Sequence, residues 1–246
     1  MDYRKPPIIE AIIEFQFAGD CSPQIRGKVA RRLKKSYPFE ESIQEIIVEG
    51  AGIAMRQAVS PMGIRLSSSD RASIFSLSST PSLLPPMAEI RSSSFSASQL
   101  APYVGWDDFI VRFFEGWAVV EKHTGHRKLN RIGVRYVNRI DIPGTIENPT
   151  SWVRIGPTLP DDFEKPLGFA LSATIPVGDA RANLGTAIVQ SPLPHHASIM
   201  LDIDVYTVGD ISDRNETRRE ILEDFRIKKN SIFESCITDE ARRLFQ

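Results

Sequence analysis

The chain has 246 residues, with 30 basic and 31 acidic side chains, a formal net charge of −1, 41% hydrophobic and 25% charged residues. This composition excludes disorder, collagen-like repeats and a dedicated nucleic-acid coat, because affinity for phosphates rests on local excess positive charge. At this length one core buries roughly 70–75% of the unfolded surface, so no disulfide or metal is needed merely to fold.

The two cysteines, Cys21 and Cys236, have no CxxC spacing and build neither a disulfide framework nor a zinc ribbon. The start Met1-Asp2-Tyr3-Arg4-Lys5 followed by prolines carries no secretory pattern, and no apolar run approaches the ~18 residues of a membrane span. A cytoplasmic protein without membrane attachment is expected.

Lys5 to Phe17 alternates, with Ile9, Ala11, Ile13, Phe15 and Phe17 on one face and Glu10, Ile12, Glu14 and Gln16 on the other, which predicts a strand. Ser22 and Pro23 then predict a helix start, with Ile25, Val29 and Leu33 as the buried stripe and Tyr37-Pro38 as its end. From Glu41 to about Phe95 the period falls to two. Runs at Ile43–Val48, Ile53–Val59, Met62–Leu66 and Ala72–Leu77 predict an antiparallel meander, with turns at Pro61-Met62-Gly63 and Ser68-Ser69-Asp70 and a loop over Ser79–Pro86.

Trp106, Phe109, Phe113, Phe114, Trp117 and Val120 recur at three and four, so a helix from Trp106 to His123 follows, stopped by Gly125. Strand alternation resumes over Arg131–Pro143, where Arg135, Val137, Arg139 and Asp141 share one face. A long connection to Lys165 precedes strands at Phe169–Val177, Ala182–Gln190 and Ala197–Thr207. Asp213 with Glu216 predicts a capping box for a helix to Phe233 whose stripe is Ile221, Leu222, Phe225, Ile232 and Phe233. Thr238 starts a short last helix.

The expected fold is therefore α+β, antiparallel sheet with two long packed helices, in one domain spanning 1–246. The order strand, antiparallel strands, long helix occurs twice, over 5–125 and 131–246, and permits an internal pseudo-repeat.

KPPIIEAIIEFQF, YVGWDDF at Tyr103–Phe109, RIGVRYVNRIDIP, LDIDVY at Leu201–Tyr206 and IFESCITDEARRLF at Ile232–Phe245 together resemble a sporadically distributed family of bacterial proteins of about this length. That family has no assigned biochemical activity. The resemblance implies no catalytic residues and hints only at an accessory role such as defence.

No phosphate loop, dinucleotide turn, HExxH or GxSxG pattern occurs. His123, His126, His195 and His196 could in principle meet at a metal, but the plainer reading sets the first two at a negative helix C-terminus. Cys236 reads as a small buried residue.

Two charged constellations stand out. Arg26, Lys28, Arg31, Arg32, Lys34 and Lys35 carry six positive charges on one helix, a nucleic-acid surface or, more plainly, a solvated face. Glu10, Glu14, Arg135, Arg139, Asp141, Asp202 and Asp204 lie on charged strand faces that could line a groove, with arginines clamping an anion and acids holding Mg²⁺. The plainer reading is cross-strand ion pairing.

The favoured expectation is a non-enzymatic interaction or accessory protein that binds a protein partner or itself, with no cofactor. One alternative is a divalent-ion-dependent enzyme or phosphate binder using the groove. The other is nucleic-acid binding through the basic helix.

Overall fold

The computed structural model describes residues 3–49, 56–67, 86–160, 162 and 166–246, of which 43–49, 56–63 and 67 are described by their backbone alone. In chain order the elements are β1 (Ile8–Phe17), α1 (Pro23–Leu33), β2 (Phe39–Glu49), β3 (Arg56–Ser67), β4 (Met87–Arg91), β5 (Ser94–Leu100) and α2 (Trp106–Thr124). They are followed by β6 (Leu129–Pro143), β7 (Ala170–Val177), β8 (Ala180–Gln190), β9 (His196–Val208), α3 (Asn215–Cys236) and α4 (Asp239–Arg243).

The fold is α+β, built on one antiparallel sheet in the order β2-β3-β4-β5-β1-β6-β9-β8-β7. β1 and β6 pair at the centre over Ile8–Phe17. Moving outward from β1 come β5, β4, β3 and β2; moving outward from β6 come β9, β8 and β7. On each side of the central pair, the strand that precedes a long helix is the one beside the centre.

Alternation in β1 buries Ala11, Ile13, Phe15 and Phe17 against the helices. The Phe15 ring lies 4.6 Å from Phe113 and 5.1 Å from Trp117, both edge-on, an arrangement aromatic quadrupoles favour. The close approach of α2 to β5 is set by Gly116, where an added Cβ would sit 2.6 Å from the Phe95 ring. α3 packs on β6 and β9, and its buried positions are Arg218, Leu222, Phe225, Lys229, Phe233 and Cys236. Two of those six are cations, so the stripe is not the purely apolar one expected.

α4 begins at Thr238, whose hydroxyl accepts from the Ala241 amide at 3.3 Å. It returns the C-terminus to the start of the chain: Tyr3 packs edge-on against Phe245 at 5.4 Å and its hydroxyl donates to Glu234 at 2.7 Å.

Two local expectations are corrected. Pro61-Met62-Gly63 is no turn, because β3 runs through it and Met62 is an extra residue between the Ile43–Gly63 and Gln44–Pro61 pairs. β4 reaches only Gly63–Ser67 of β3, so Pro61 lies at a bulge on a stretch that, among the described residues, is flanked by one strand, where a missing donor is tolerated. Asp213 does not cap α3, whose cap position is Arg214 without a side-chain bond. Asp213 instead meets His126 at 3.0 Å and Arg218 at 3.7 Å. The expected strand at Ala72–Leu77, the turn at Ser68-Ser69-Asp70, residues 53–55 and the Ser79–Pro86 loop apart from Pro86 lie outside the described residues. Among the described residues no helix is long and apolar enough to cross a membrane.

Candidate functional site

The sheet face away from the helices carries the charged positions that alternation singles out. Glu10, Glu14, Arg135 and Asp204 border a concavity of about 360 Å³ at the centre of that face, together with Arg65 and Arg131. Its arginines are paired with carboxylates. Arg131 donates to Glu14 at 2.9 Å and to both Asp204 oxygens at 2.7 and 2.9 Å, with its guanidinium 4.5 Å above the Tyr206 ring. Gly133 leaves the lane for that side chain, since a Cβ there would lie 2.7 Å from Nη1.

Arg135 grips Asp202 through three contacts of 2.5–3.1 Å. Arg139 binds Asp141 at 2.8 and 3.1 Å, and Arg65 binds Glu89 at 2.5 Å. Burial pushes the Glu10 and Asp204 carboxyls above their ordinary values, with nearby arginines working against it. Burial also acts upward on Asp141, but hydrogen bonds from Arg139 and Ser198 outweigh it and hold that group low. Among the described residues no group of three or more His, Cys, Asp or Glu is placed to hold a metal ion.

The basic helix divides. Lys28, Arg31, Arg32, Lys34 and Lys35 are exposed, whereas Arg26 is buried and donates to the Cys21 carbonyl at 2.6 Å. Lys34 pairs with Glu40 at 2.8 Å. The histidines go separate ways: His123 Nδ1 bonds the Val119 carbonyl at 2.8 Å, and His196 Nδ1 the Pro194 carbonyl at 2.8 Å.

A different place carries the unspent chemistry. On the helix side, the start of β1, the segment before α2, β6 and the C-terminal half of α3 enclose a cavity of about 530 Å³. Its walls are aromatic, with Tyr3, Tyr103, Trp106, Tyr136 and Phe233, and Val104 and Ser231 stand exposed at its rim. The Tyr103 and Tyr136 hydroxyls are 2.7 Å apart. Burial holds Tyr103 up at about 12 and drives Tyr136 well above its usual value, so both stay protonated at neutral pH. Asn138 is fixed by donating to the Tyr136 and Leu201 carbonyls at 3.3 and 3.1 Å.

Lys229 lines this cavity at 7% exposure, its Nζ 3.6 Å from the centre of the Tyr136 ring. Among the described residues it has no hydrogen bond and no ion pair. The neighbouring charges are already matched: Arg226 donates to Glu223 at 2.8 Å, while Glu234 is held by Tyr3 and by Arg242 at 2.9 Å. A desolvated cation–π contact contributes about 2 kcal/mol, less than the several kcal/mol that removing an ammonium from water costs. Desolvation, with the Arg226 charge added, therefore lowers the Lys229 amine to about 7. At neutral pH a substantial share of it is therefore an uncharged nucleophile.

α2 opens on the same cavity. Its N-terminus at Gly105–Trp106, which has no side-chain cap, borders the space, so the positive end of a 19-residue helix lies beside it.

The sequence reading missed Lys229, Tyr103, Tyr136, Asn138 and Arg226 as a group, and Arg131 and Arg65 on the open face. A lysine in phase with Phe225 and Phe233 on a helix stripe was the available signal for the cavity. No family model matches this chain, and no curated protein matches it.

Proposed function

We propose that this protein binds a small organic anion in the cavity between β1, β6 and α3. What supports the reading is Lys229: a nearly buried amine, without a counter-charge among the described residues, on the wall of a cavity large enough for a small molecule. Lone buried ammonium groups are costly and are kept where a ligand completes them. The aromatic walls suit an apolar body, and the uncapped start of α2 suits a carboxylate or phosphate. The open sheet face lacks this property, because its arginines already hold carboxylates.

The test is thermal shift and calorimetry on the full chain with benzoate, 3-phenylpropanoate, phenyl phosphate and inorganic phosphate. A ligand at 100 times its dissociation constant stabilises by about 2.7 kcal/mol. The expected result is stabilisation by an aryl anion that Lys229→Met abolishes. Equal shifts in the wild type and in Lys229→Met, or none in either, would remove the cavity from consideration.

A further inference from the structure

We infer that Lys229 captures a 2-oxo acid with an apolar or aromatic side chain as an imine. This rests on the cavity reading above and names the ligand's reactive group. Three features of the site favour a carbonyl carbon over a purely electrostatic partner.

The first is the state of the amine. Among the described residues Lys229 has no hydrogen-bond acceptor or carboxylate to hold its proton, and it shares the cavity with Arg226, whose charge disfavours a second cation nearby. An ordinary lysine near pH 7 offers on the order of a thousandfold less neutral amine. The adjacent Lys228 supplies the internal contrast, since it is paired with Asp179 at 2.5 Å and Asp224 at 2.6 Å, and those partners hold its pKa up.

The second is a proton source. The lone pair on Nζ forms the C–N bond, and the carbonyl π pair moves to oxygen, which takes a proton to give a carbinolamine. The two amine hydrogens then leave with that oxygen as water while C=N forms, so an amine and a ketone give an imine and water. Departure of the hydroxyl requires a proton donor. The Tyr103–Tyr136 hydroxyl pair lies in the same cavity, and Nζ rests on the Tyr136 ring itself. Both phenols remain protonated at neutral pH, with Tyr103 at about 12.

The third is charge balance after capture. A protonated imine restores the positive charge at Nζ and places it beside the carboxylate of a 2-oxo acid, one bond from the reacting carbon. The start of α2 at Gly105, without a side-chain cap, borders the same cavity and sets a positive helix end beside it. Trp106, Phe233 and Tyr3 then supply the surface for the ligand's side chain.

The experiment is reductive trapping of the full chain with phenylpyruvate and cyanoborohydride near neutral pH, read by intact mass and peptide mapping. The expected product is one secondary amine at Lys229, heavier by the acid less one oxygen atom, formed about tenfold or more faster than any adduct at Lys228. Lys229→Met should lose it, and 3-phenylpropanoate, which lacks the oxo group, should compete. If 3-phenylpropanoate stabilises the protein in a Lys229-dependent way but phenylpyruvate gives no adduct at Lys229, imine capture is overturned and anion binding stands. If neither compound binds, both fall. Labelling spread evenly over Lys228 and the other lysines overturns the imine as well.

Discussion

Two cations occupy the buried stripe of α3, eleven positions and about three turns apart, which puts them on one face of the helix. Arg218, with no exposed surface, is matched through Nε and Nη1, while its buried Nη2 has no hydrogen bond and only the Asp213 carboxylate at 3.7 Å. It donates to Glu121 at 2.9 Å, to Asn215 at 3.0 Å and to the Ser212 carbonyl at 2.9 Å, and it lies 5.7 Å from the Trp117 ring centre. Lys229 rests on the Tyr136 ring and, among the described residues, has no ion pair. The arginine ties α3 to α2 through Glu121, whereas the lysine lines the cavity without an ion pair among the described residues.

The largest effect that sharpens this contrast is the loss of Arg218. Arg218→Ala removes a buried cation, leaves Glu121 without its partner and opens a void beside Trp117 and Phe15. A cost of about 3–5 kcal/mol follows, read as a fall in the denaturant midpoint at unchanged slope. A cost under about 1 kcal/mol would mean that the two cations are not different in kind.

Lys229 responds in the opposite direction. Its native value of about 7 lies below the ordinary 10.5. Below pH 7 the folded and unfolded chains both carry the proton, and the full penalty of burying the charge is present. Between about 7 and 10.5 the unfolded chain still holds a proton that the native state has shed, so stability rises with pH across that window. Lys229→Met removes the penalty and should stabilise the protein by about 2–4 kcal/mol at pH 6, with the gain fading towards pH 10. The groups around the amine, Arg226, Tyr103 and Tyr136, do not offset this: the first adds like charge and the phenols stay neutral through neutrality. Urea titrations of both proteins at several pH values decide it, and a pH-independent difference would show that Lys229 does not titrate in that range.

The two sites were unequally legible in the sequence. β1, β6 and β9 announced their faces, because period-two alternation put Glu10 and Glu14, Arg135 and Arg139, Asp202 and Asp204 on single sides, and the sheet did bring those sides into register. Alternation says nothing of what faces a charge across the ladder. Arg135 stands opposite Asp204 in register yet reaches diagonally to Asp202.

The cavity left weaker traces. Tyr136 and Asn138 lie on the buried side of β6, and the stripe expected for α3 runs through Leu222, Phe225 and Phe233 without the cation between them. Its walls come from residues 3–8, 103–106, 136–138 and 226–234, and no local pattern reports a juxtaposition over such separations. Charge in phase with an apolar stripe is the one feature that was readable in advance.

The smallest effect concerns the open sheet face, where the contrast is between pairs that decorate and a charge that waits. Arg135 and Asp202 meet through good geometry, but the Arg135 side chain is 48% exposed. Water screens the attraction there, and holding two side chains in one geometry costs rotamer freedom. A double-mutant cycle with Arg135→Ala and Asp202→Ala should give a coupling of about 0.2–1 kcal/mol, falling further in about 1 M salt, where the Debye length is about 3 Å. The aryl-anion response of the cavity should be unchanged in Arg135→Ala, because β6 presents that residue on the face opposite Tyr136. A coupling of several kcal/mol, or loss of anion binding in Arg135→Ala, would place functional charge on the open face and reverse the assignment of roles between the two sides of the sheet.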